Sequence, residues 1–199
     1  MKAILCKEYG PAETLVIEDV PSPEVKGRGV KVRVKAAGLN FPDTLIIENK
    51  YQLKPSLPFS PGGEMAGEVI EVGDKVTRFK VGDRVAGLTG YGAFAEEVIV
   101  PEQNLLPVPD GMSDEKAAAF TMVYGTSYYA LKQRGNLQPG ETLLVLGASG
   151  GVGLATVELG KAMGAKVIAA ASSAEKLAVA KEAGADELIN YPKSLSKMR

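Results

Sequence analysis

The pattern of apolar and polar positions changes character near residue 110. Before that point, short apolar/polar alternations are interrupted by Gly, Pro and Asp, which is typical of strands in an antiparallel domain. Turn signals at residues 72–74 and 81–83 follow one another closely, as in a compact antiparallel barrel. The predicted strands are 1–9, 15–19, 30–37, 67–72, 84–86 and 93–101, with a short helix at 42–48 after Asn40.

Beyond residue 110 the pattern predicts helices that alternate with short apolar strands. Two helices, 114–120 and 126–133, are predicted to be separated near Gly125. After them come strand 142–147, helix 152–163, strand 166–171, helix 174–183 and strand 187–190. This β-α-β-α-β order requires parallel strands joined by right-handed crossovers.

A glycine motif lies at the start of this second region. Residues 142–155 read TLLVLGASGGVGLA, with Gly147, Gly150 and Gly153 spaced three apart. The motif is typical of a strand that turns sharply into a helix whose first N–H groups face a pyrophosphate. A P-loop needs Lys followed by Ser or Thr at this point, and Leu154 stands there instead. The remaining alternative is a tight strand–helix turn with no ligand.

Composition narrows the chemistry further. The 199 residues include no His and one Cys, which excludes a four-Cys zinc site, the usual catalytic zinc site and His-dependent triads. We therefore predict no metal site. A net charge of −1 gives no electrostatic reason to expect nucleic acid or an anionic membrane as partner. With no apolar run of about 18 residues and no apparent signal peptide, we expect a cytoplasmic protein without a membrane span.

Five segments together resemble one known family. They are residues 37–43 (AGLNFPD), 61–67 (PGGEMAG), 81–85 (VGDRV), 92–96 (GAFAE) and 147–153 (GASGGVG). The chain resembles zinc-independent members of the medium-chain dehydrogenase/reductase superfamily, in the NADPH:quinone oxidoreductase (ζ-crystallin-like) group. Asn40 and Gly63 stand where zinc-dependent members carry Cys and His.

The resemblance implies an α/β fold in two domains. A GroES-like β-barrel catalytic domain would span 1–122, and a partial Rossmann domain would span 123–199 as the first β-α-β-α-β half of an NADP(H)-binding domain, with the active cleft between the two. Members of the family usually exceed 300 residues and are commonly dimers. We therefore expect a C-terminally truncated chain and a homodimer.

The resemblance also implies roles for individual side chains. Asn40 and Asp43 match the polar pair at the quinone-reductase active site, and Tyr51 matches a tyrosine that borders the substrate cleft. The other interpretation of Asn40 and Asp43 is a turn with a helix cap, which is common for Asx residues. Leu45 stands where relatives often carry a second aromatic residue. Glu64, with no metal beside it, is expected to be structural.

The expected cofactor contacts combine the glycine motif with the resemblance. Thr126 resembles a contact on the nicotinamide side, its other interpretation being a helix-initiating threonine. Tyr191 resembles a tyrosine that contacts the adenosine phosphate. The phosphate-binding residues are expected to be Gly147, Ser149, Gly150, Gly151 and Val152.

The end of the second parallel strand predicts which dinucleotide binds. NAD sites usually carry an acid there for the ribose hydroxyls, whereas this chain has Ser172 and Ser173, followed by Lys176. Small hydroxyl residues leave room for a 2′-phosphate, and a lysine neutralises it. The alternative interpretation is that Ser173 only caps a helix and that Lys176 is a solvated side chain. The residues favour NADP(H) over NAD(H).

These observations support one leading hypothesis and two alternatives. The leading hypothesis is metal-free hydride transfer from NADPH to a small electrophilic substrate, a quinone or an α,β-unsaturated carbonyl. The first alternative is a truncated, catalytically inactive or binding-only remnant, since one Rossmann half lacks the strands that wall the nicotinamide. RNA binding, reported for some ζ-crystallin relatives, gains little support from the net charge of −1.

Overall fold

The computed structural model describes residues 1–191, which form two compact units. The first unit is Met1–Met122, and the second begins at Val123. The first unit holds two sheets and the second holds one, and each unit has its own apolar core.

The first unit contains seven strands and two short helices. A two-stranded antiparallel sheet joins β1 to β2, and a five-stranded antiparallel sheet has the order β6-β3-β4-β5-β7. Helix α1 leaves the end of β3, and α2 packs against β3 and β4. The strands are β1 Lys2–Leu5, β2 Val16–Asp19, β3 Gly29–Gly38, β4 Glu64–Val72, β5 Arg84–Leu88, β6 Glu97–Pro101 and β7 Leu105–Pro107; the helices are α1 Phe41–Ile47 and α2 Asp114–Ala118.

The five-stranded sheet does not close into the predicted barrel. No ladder joins its edge strands β6 and β7 in residues 1–191, although only Glu102–Asn104 separate them in the chain. That connection spans roughly 14 Å at most, so the sheet must curl strongly to bring its edges together. The edges cannot pair well because β7 has three residues, and because Pro101 and Pro107 lack an N–H. The expectation of a closed barrel was wrong in this respect.

The apolar core of the first unit follows the alternation of its strands. Val30 and Val32 of β3 pack with Met65 and Val69 of β4, and all four side chains are fully buried. Such burial stabilises the unit by about 1.5–3 kcal/mol for each large aliphatic side chain. A separate apolar cluster joins α2 to the sheet: Ala117 and Ala118 of the helix pack with Ala66 and Ala86 of the strands.

The second unit is built on a parallel sheet of order β10-β9-β8. Its core contains Val145, Val157, Val167, Ala169 and Ala180, contributed by both strands and helices. The predicted β-α-β-α-β succession is confirmed with ends that differ by one residue at most. Its elements are β8 Thr142–Leu146, α4 Gly151–Ala162, β9 Lys166–Ala171, α5 Ala174–Glu182 and β10 Glu187–Asn190; α3, Thr121–Tyr128, precedes them.

The main error in secondary structure concerns α3. The sequence predicted a break near Gly125 and a helix from Thr126, but Gly125 lies inside α3, and a π-helical turn, Tyr129–Arg134, continues it. Isolated glycine lowers helix propensity by only about 1 kcal/mol, which tertiary contacts offset. One such contact is the Ser127 hydroxyl, which donates to the carbonyl of Val152 at 3.0 Å.

Across residues 1–191, none of the helices combines the length and the apolar character needed to cross a membrane.

Glu102 provides a test of how the two edges of the first sheet are joined. Its buried carboxylate accepts hydrogen bonds from the N–H groups of Thr77 (2.9 Å) and Arg78 (3.1 Å) and pairs with Arg28 (2.7 Å). The Thr77 N–H, and then those of Arg78 and the Arg28 guanidinium, hold the pKa of Glu102 below its usual value. The stabilisation is therefore present above the unfolded-state pKa and is lost as pH falls through the folded-state pKa.

We expect Glu102→Gln to lower the free energy of unfolding at pH 7 and to make it fall less steeply towards pH 3 than in the parent chain. Urea unfolding at a series of pH values measures both effects. The matched control is Glu24→Gln, which removes an exposed ion pair with Lys26. Equal acid slopes for Glu102→Gln and the parent would contradict the account.

Candidate functional site

The junction between β3 and α1 places two of the predicted catalytic side chains together. Asn40 occupies the N-cap position of α1, and Asp43 is the third residue of that helix. The Asn40 N–H donates to the Asp43 carboxylate at 2.8 Å, which closes the helix start as a capping box does. The helix-cap interpretation of these two residues is therefore correct. Capping the helix does not exclude a role in the reaction.

Asp43 is buried, with 3% of its surface exposed, and its carboxylate accepts hydrogen bonds from backbone N–H groups of Asn40, Gly62 and Gly63. Burial raises the pKa of Asp43, and the three N–H donors oppose that rise. With its oxygens committed to backbone donors, Asp43 holds the loop before β4 against the start of α1. Its predicted role in the reaction stays a prediction.

Glu64 completes this cluster and is fully buried. Its carboxylate accepts hydrogen bonds from the Met122 N–H (2.7 Å) and the Asn40 Nδ2 (3.0 Å), and from the Thr121 N–H. Thr121 and Met122 begin α3, so Glu64 satisfies backbone donors that a helix leaves without partners. Burial raises the pKa of Glu64, these donors lower it, and the charge of Asp43 raises it again.

Tyr51, the third predicted catalytic residue, lies in a different environment. It is partly buried against a small apolar cluster formed by Cys6, Ile46, Ile47 and Phe59. The structure therefore brings Asn40 and Asp43 together at the start of α1, whereas Tyr51 packs near Ile46 and Ile47 at the end of that helix. Its role in the reaction stays a prediction.

The glycine motif forms the predicted turn between β8 and α4. Gly147 has φ +63°, and its carbonyl accepts the Gly150 N–H at 3.0 Å. A side chain on Gly153 would come closer than 3.0 Å to the backbone of Gly147 and Ala148, so only glycine fits there. The first bond within α4 runs from the Leu154 N–H to the Gly150 carbonyl, at 2.8 Å. The preceding N–H groups of the first turn remain available for an anion.

The exposure of the motif agrees with that use. Gly147, Gly150, Gly151 and Val152 are exposed, and Ser149 is partly buried. They lie beyond the carboxyl end of β8, which is where open parallel sheets bind ligands. Side chains added at these glycines would occupy this region. The backbone N–H donors that the glycines leave accessible fit a pyrophosphate.

The end of β9 carries the residues predicted to select the dinucleotide. Ser173 is the N-cap of α5 and accepts the Lys176 N–H at 3.3 Å, while Lys176 Nζ lies 3.1 Å from Ser172 Oγ. Sequence reasoning missed Glu175, whose carboxylate interacts with the Ser173 hydroxyl and its own backbone N–H, so that its pKa is lowered. The sequence signal for this contact was a Ser two residues before a Glu at the start of a predicted helix.

Two further predicted residues lie at different places in the second unit. Thr126 is exposed on α3, and its neighbour Ser127 is the residue that contacts the first turn of α4, through Val152 and Thr156. Tyr191 follows β10 and is partly buried. Beside it, Asn190 has a buried Oδ1 without a hydrogen-bond partner in the described residues, an acceptor that sequence reasoning did not identify.

Known proteins match both units. Residues 26–110 match the family of alcohol dehydrogenase GroES-like domains, and residues 151–199 match the family of zinc-binding dehydrogenases. A quinone oxidoreductase-like protein 2 homolog of Nematostella vectensis is 48% identical over 193 residues, which are 96% of this chain and 52% of that protein. The chain spans about half the length of the curated relatives it matches.

Two solved structures extend the comparison. A quinone oxidoreductase from Pseudomonas syringae is 45% identical with a TM-score of 0.89, covering 96% of this chain and 58% of that one. A quinone oxidoreductase from Thermus thermophilus, solved also in complex with NADPH, is 40% identical with a TM-score of 0.86, covering 99% and 62%. The chain therefore belongs to the medium-chain dehydrogenase/reductase superfamily, and within it to the quinone oxidoreductase family.

Membership in this family confirms the predicted combination of a GroES-like part with a Rossmann-type part. One of the matched families is named for zinc binding. In residues 1–191 there is no group of three or more His, Cys, Asp or Glu side chains that could hold a metal ion.

The glycine motif yields a direct prediction. Gly153→Ala should destabilise the second unit by about 1–3 kcal/mol, because the new methyl group meets backbone that cannot move without opening the turn. Gly150→Ala is the matched control, since its Cβ would have 3.5 Å to the nearest atom and its φ is −80°. Thermal and urea unfolding measure the difference, and equal stability of the two variants would contradict the proposed packing.

Proposed function

We propose that this chain provides the substrate-side unit and the first cofactor-binding half of an NADPH-dependent oxidoreductase. It would reduce a quinone or an α,β-unsaturated carbonyl without a metal. The observation that carries the proposal is the carboxyl edge of the parallel sheet. There, the N–H groups at the start of α4, which follows β8, and the side chains of Ser172 and Lys176, which follow β9, lie beyond the carboxyl ends of two neighbouring parallel strands.

Support for a dinucleotide comes from the fit of the turn to a pyrophosphate. The first turn of α4 offers backbone donors and the positive end of the helix dipole, which together stabilise an anion. The absence of a side chain on Gly153 lets the start of α4 pack directly against the backbone of Gly147 and Ala148, which holds the turn in place. The complex of the Thermus thermophilus relative with NADPH supports the same choice of cofactor.

Support for a 2′-phosphate comes from the end of β9. Ser172 and Lys176 offer a hydroxyl and an ammonium group within 3.1 Å of each other, which suits a phosphate dianion. Glu175 is the opposing charge nearby, but Ser173 and a backbone N–H already engage its carboxylate. We infer that NADPH binds more tightly than NADH.

The substrate side of the proposal rests on Asn40. NADPH, when bound, supplies the hydride. Asn40 is partly exposed, and one N–H of its amide is not used by Glu64, so it can donate to a substrate oxygen. The sequence holds no His and one Cys for a zinc ion that could polarise a carbonyl. The substrate must therefore be electrophilic in itself.

A second candidate function, binding without turnover, is favoured by the edge of the parallel sheet. Strand β8 is an edge strand of the described sheet, with Leu144 and Leu146 exposed to 53% and 71%. A dinucleotide site built from two sheet halves needs strands beyond this edge. In that case the chain would bind NADPH and leave a quinone unreduced. A homodimer and a cytoplasmic location stay predictions.

Lys176 tests the choice of cofactor. Lys176→Ala should weaken NADPH binding about tenfold, equivalent to about 1.4 kcal/mol, and leave NADH binding unchanged, because only NADPH carries the 2′-phosphate. Fluorescence titration measures both affinities. Lys181→Ala is the matched control, since Lys181 lies at the other end of α5 and donates to the carbonyl of Ala185. An equal loss of affinity for both cofactors would count against the assignment.

Turnover separates the two candidate functions. We expect the purified chain to oxidise NADPH in the presence of a soluble quinone, at a rate that Asn40→Ala lowers while NADPH binding is retained. The absorbance of NADPH records the reaction. Saturable binding of NADPH with no quinone-dependent oxidation would favour the binding-only alternative.

A further inference from the structure

We propose that Glu64 is a positioning residue, which fixes the side-chain amide of Asn40 so that one N–H of the amide is presented for the reaction. The inference rests on the proposed function, in which Asn40 meets the substrate. Sequence reasoning treated Glu64 as structural. The geometry assigns it both a structural task, at the start of α3, and a task in the chemistry of Asn40.

The contacts of Glu64 hold its carboxylate in one position. It lies at the first residue of β4 and is fully buried. The carboxylate accepts hydrogen bonds from N–H groups at the start of α3, and it accepts one from Asn40 Nδ2 at 3.0 Å. On the β3 side, a side chain on Gly38 would come within 2.8 Å of Glu64 Oε2. The carboxylate is therefore enclosed and cannot follow Asn40 if that residue rotates.

This arrangement determines the orientation of the Asn40 amide. An ionised carboxylate only accepts hydrogen bonds, so the NH2 end of the amide must face Glu64. The carbonyl end, Oδ1, then faces the Asp43 N–H at the start of α1, and the second N–H stays unused by Glu64. Without the charge on Glu64, the amide would lose the acceptor that holds this N–H in place.

The charge that faces Glu64 belongs to Asp43 of α1. The register partners of Glu64 on the neighbouring strands carry no charge: they are Gly38 on β3 and Leu88 on β5. A Cβ on Gly38 would also meet the Ala118 carbonyl at the end of α2, which is uncharged as well. Burial raises the pKa of both carboxyl groups. Protonation of Glu64 would remove the reason for the amide to keep its orientation.

A double-mutant cycle tests whether Glu64 acts through Asn40. Glu64→Gln should lower kcat for quinone reduction by about tenfold or more, since small misplacements of a reacting group cost up to about 10²-fold. In the Asn40→Ala background, Glu64→Gln should change kcat by less than about twofold. Glu68→Gln is the matched control on the same strand. A loss of equal size in both backgrounds would overturn the proposal.

A titration of the unsubstituted chain does not depend on activity. In protein labelled with 15N in asparagine side chains, the Asn40 amide, assigned by its absence in Asn40→Ala, should titrate with Glu64. The midpoint should lie above the ordinary carboxyl range, because burial raises the pKa of Glu64. Asn40 amide signals that stay constant across that range would overturn the positioning role. Failure to oxidise NADPH would instead count against the proposed function alone.

Discussion

A helix leaves the N–H groups of its first turn without partners, and the way this chain satisfies them organises both candidate sites. In the first unit, buried carboxylates do so: Asp43 at the start of α1, and Glu64 at the start of α3. In the second unit, the residues that open α4 are glycine and valine, and its N-cap, Gly150, has no side chain to accept a hydrogen bond. The same physical need is met by protein at α1 and α3 and is left for an anion at α4.

This contrast explains why the polar residues of the two units serve different purposes. Asp43 and Glu64 are buried and hold loops and helix starts in place, while Asn40, partly exposed, offers hydrogen bonds outward. In the second unit, close backbone packing at Gly153 replaces side-chain bonds and keeps the donors of α4 uncovered. Ser127 adds to this by anchoring α3 to the first turn of α4.

Much of the second unit could be predicted from sequence, because periodicity and glycine spacing are local signals that its parallel strands and helices obey. The first unit was harder. Its sheet was expected to close, but closure depends on whether the short edge strand β7 can pair with β6, which no local pattern records. Likewise Glu64 lies before the predicted strand 67–72 and was expected to be structural, and only the fold shows Thr121 and Met122 donating to it. Glu175 and Asn190 were missed for the same reason.

The central claim is that the carboxyl edge of the parallel sheet binds NADPH through the turn at 147–153 and the end of β9. The most direct measurement is a fluorescence titration of the purified chain with NADPH and with NADH at fixed ionic strength. The account predicts saturable binding at one site per chain, tighter for NADPH than for NADH. Binding of NADH as tight as that of NADPH, or no saturable binding of either, would contradict it.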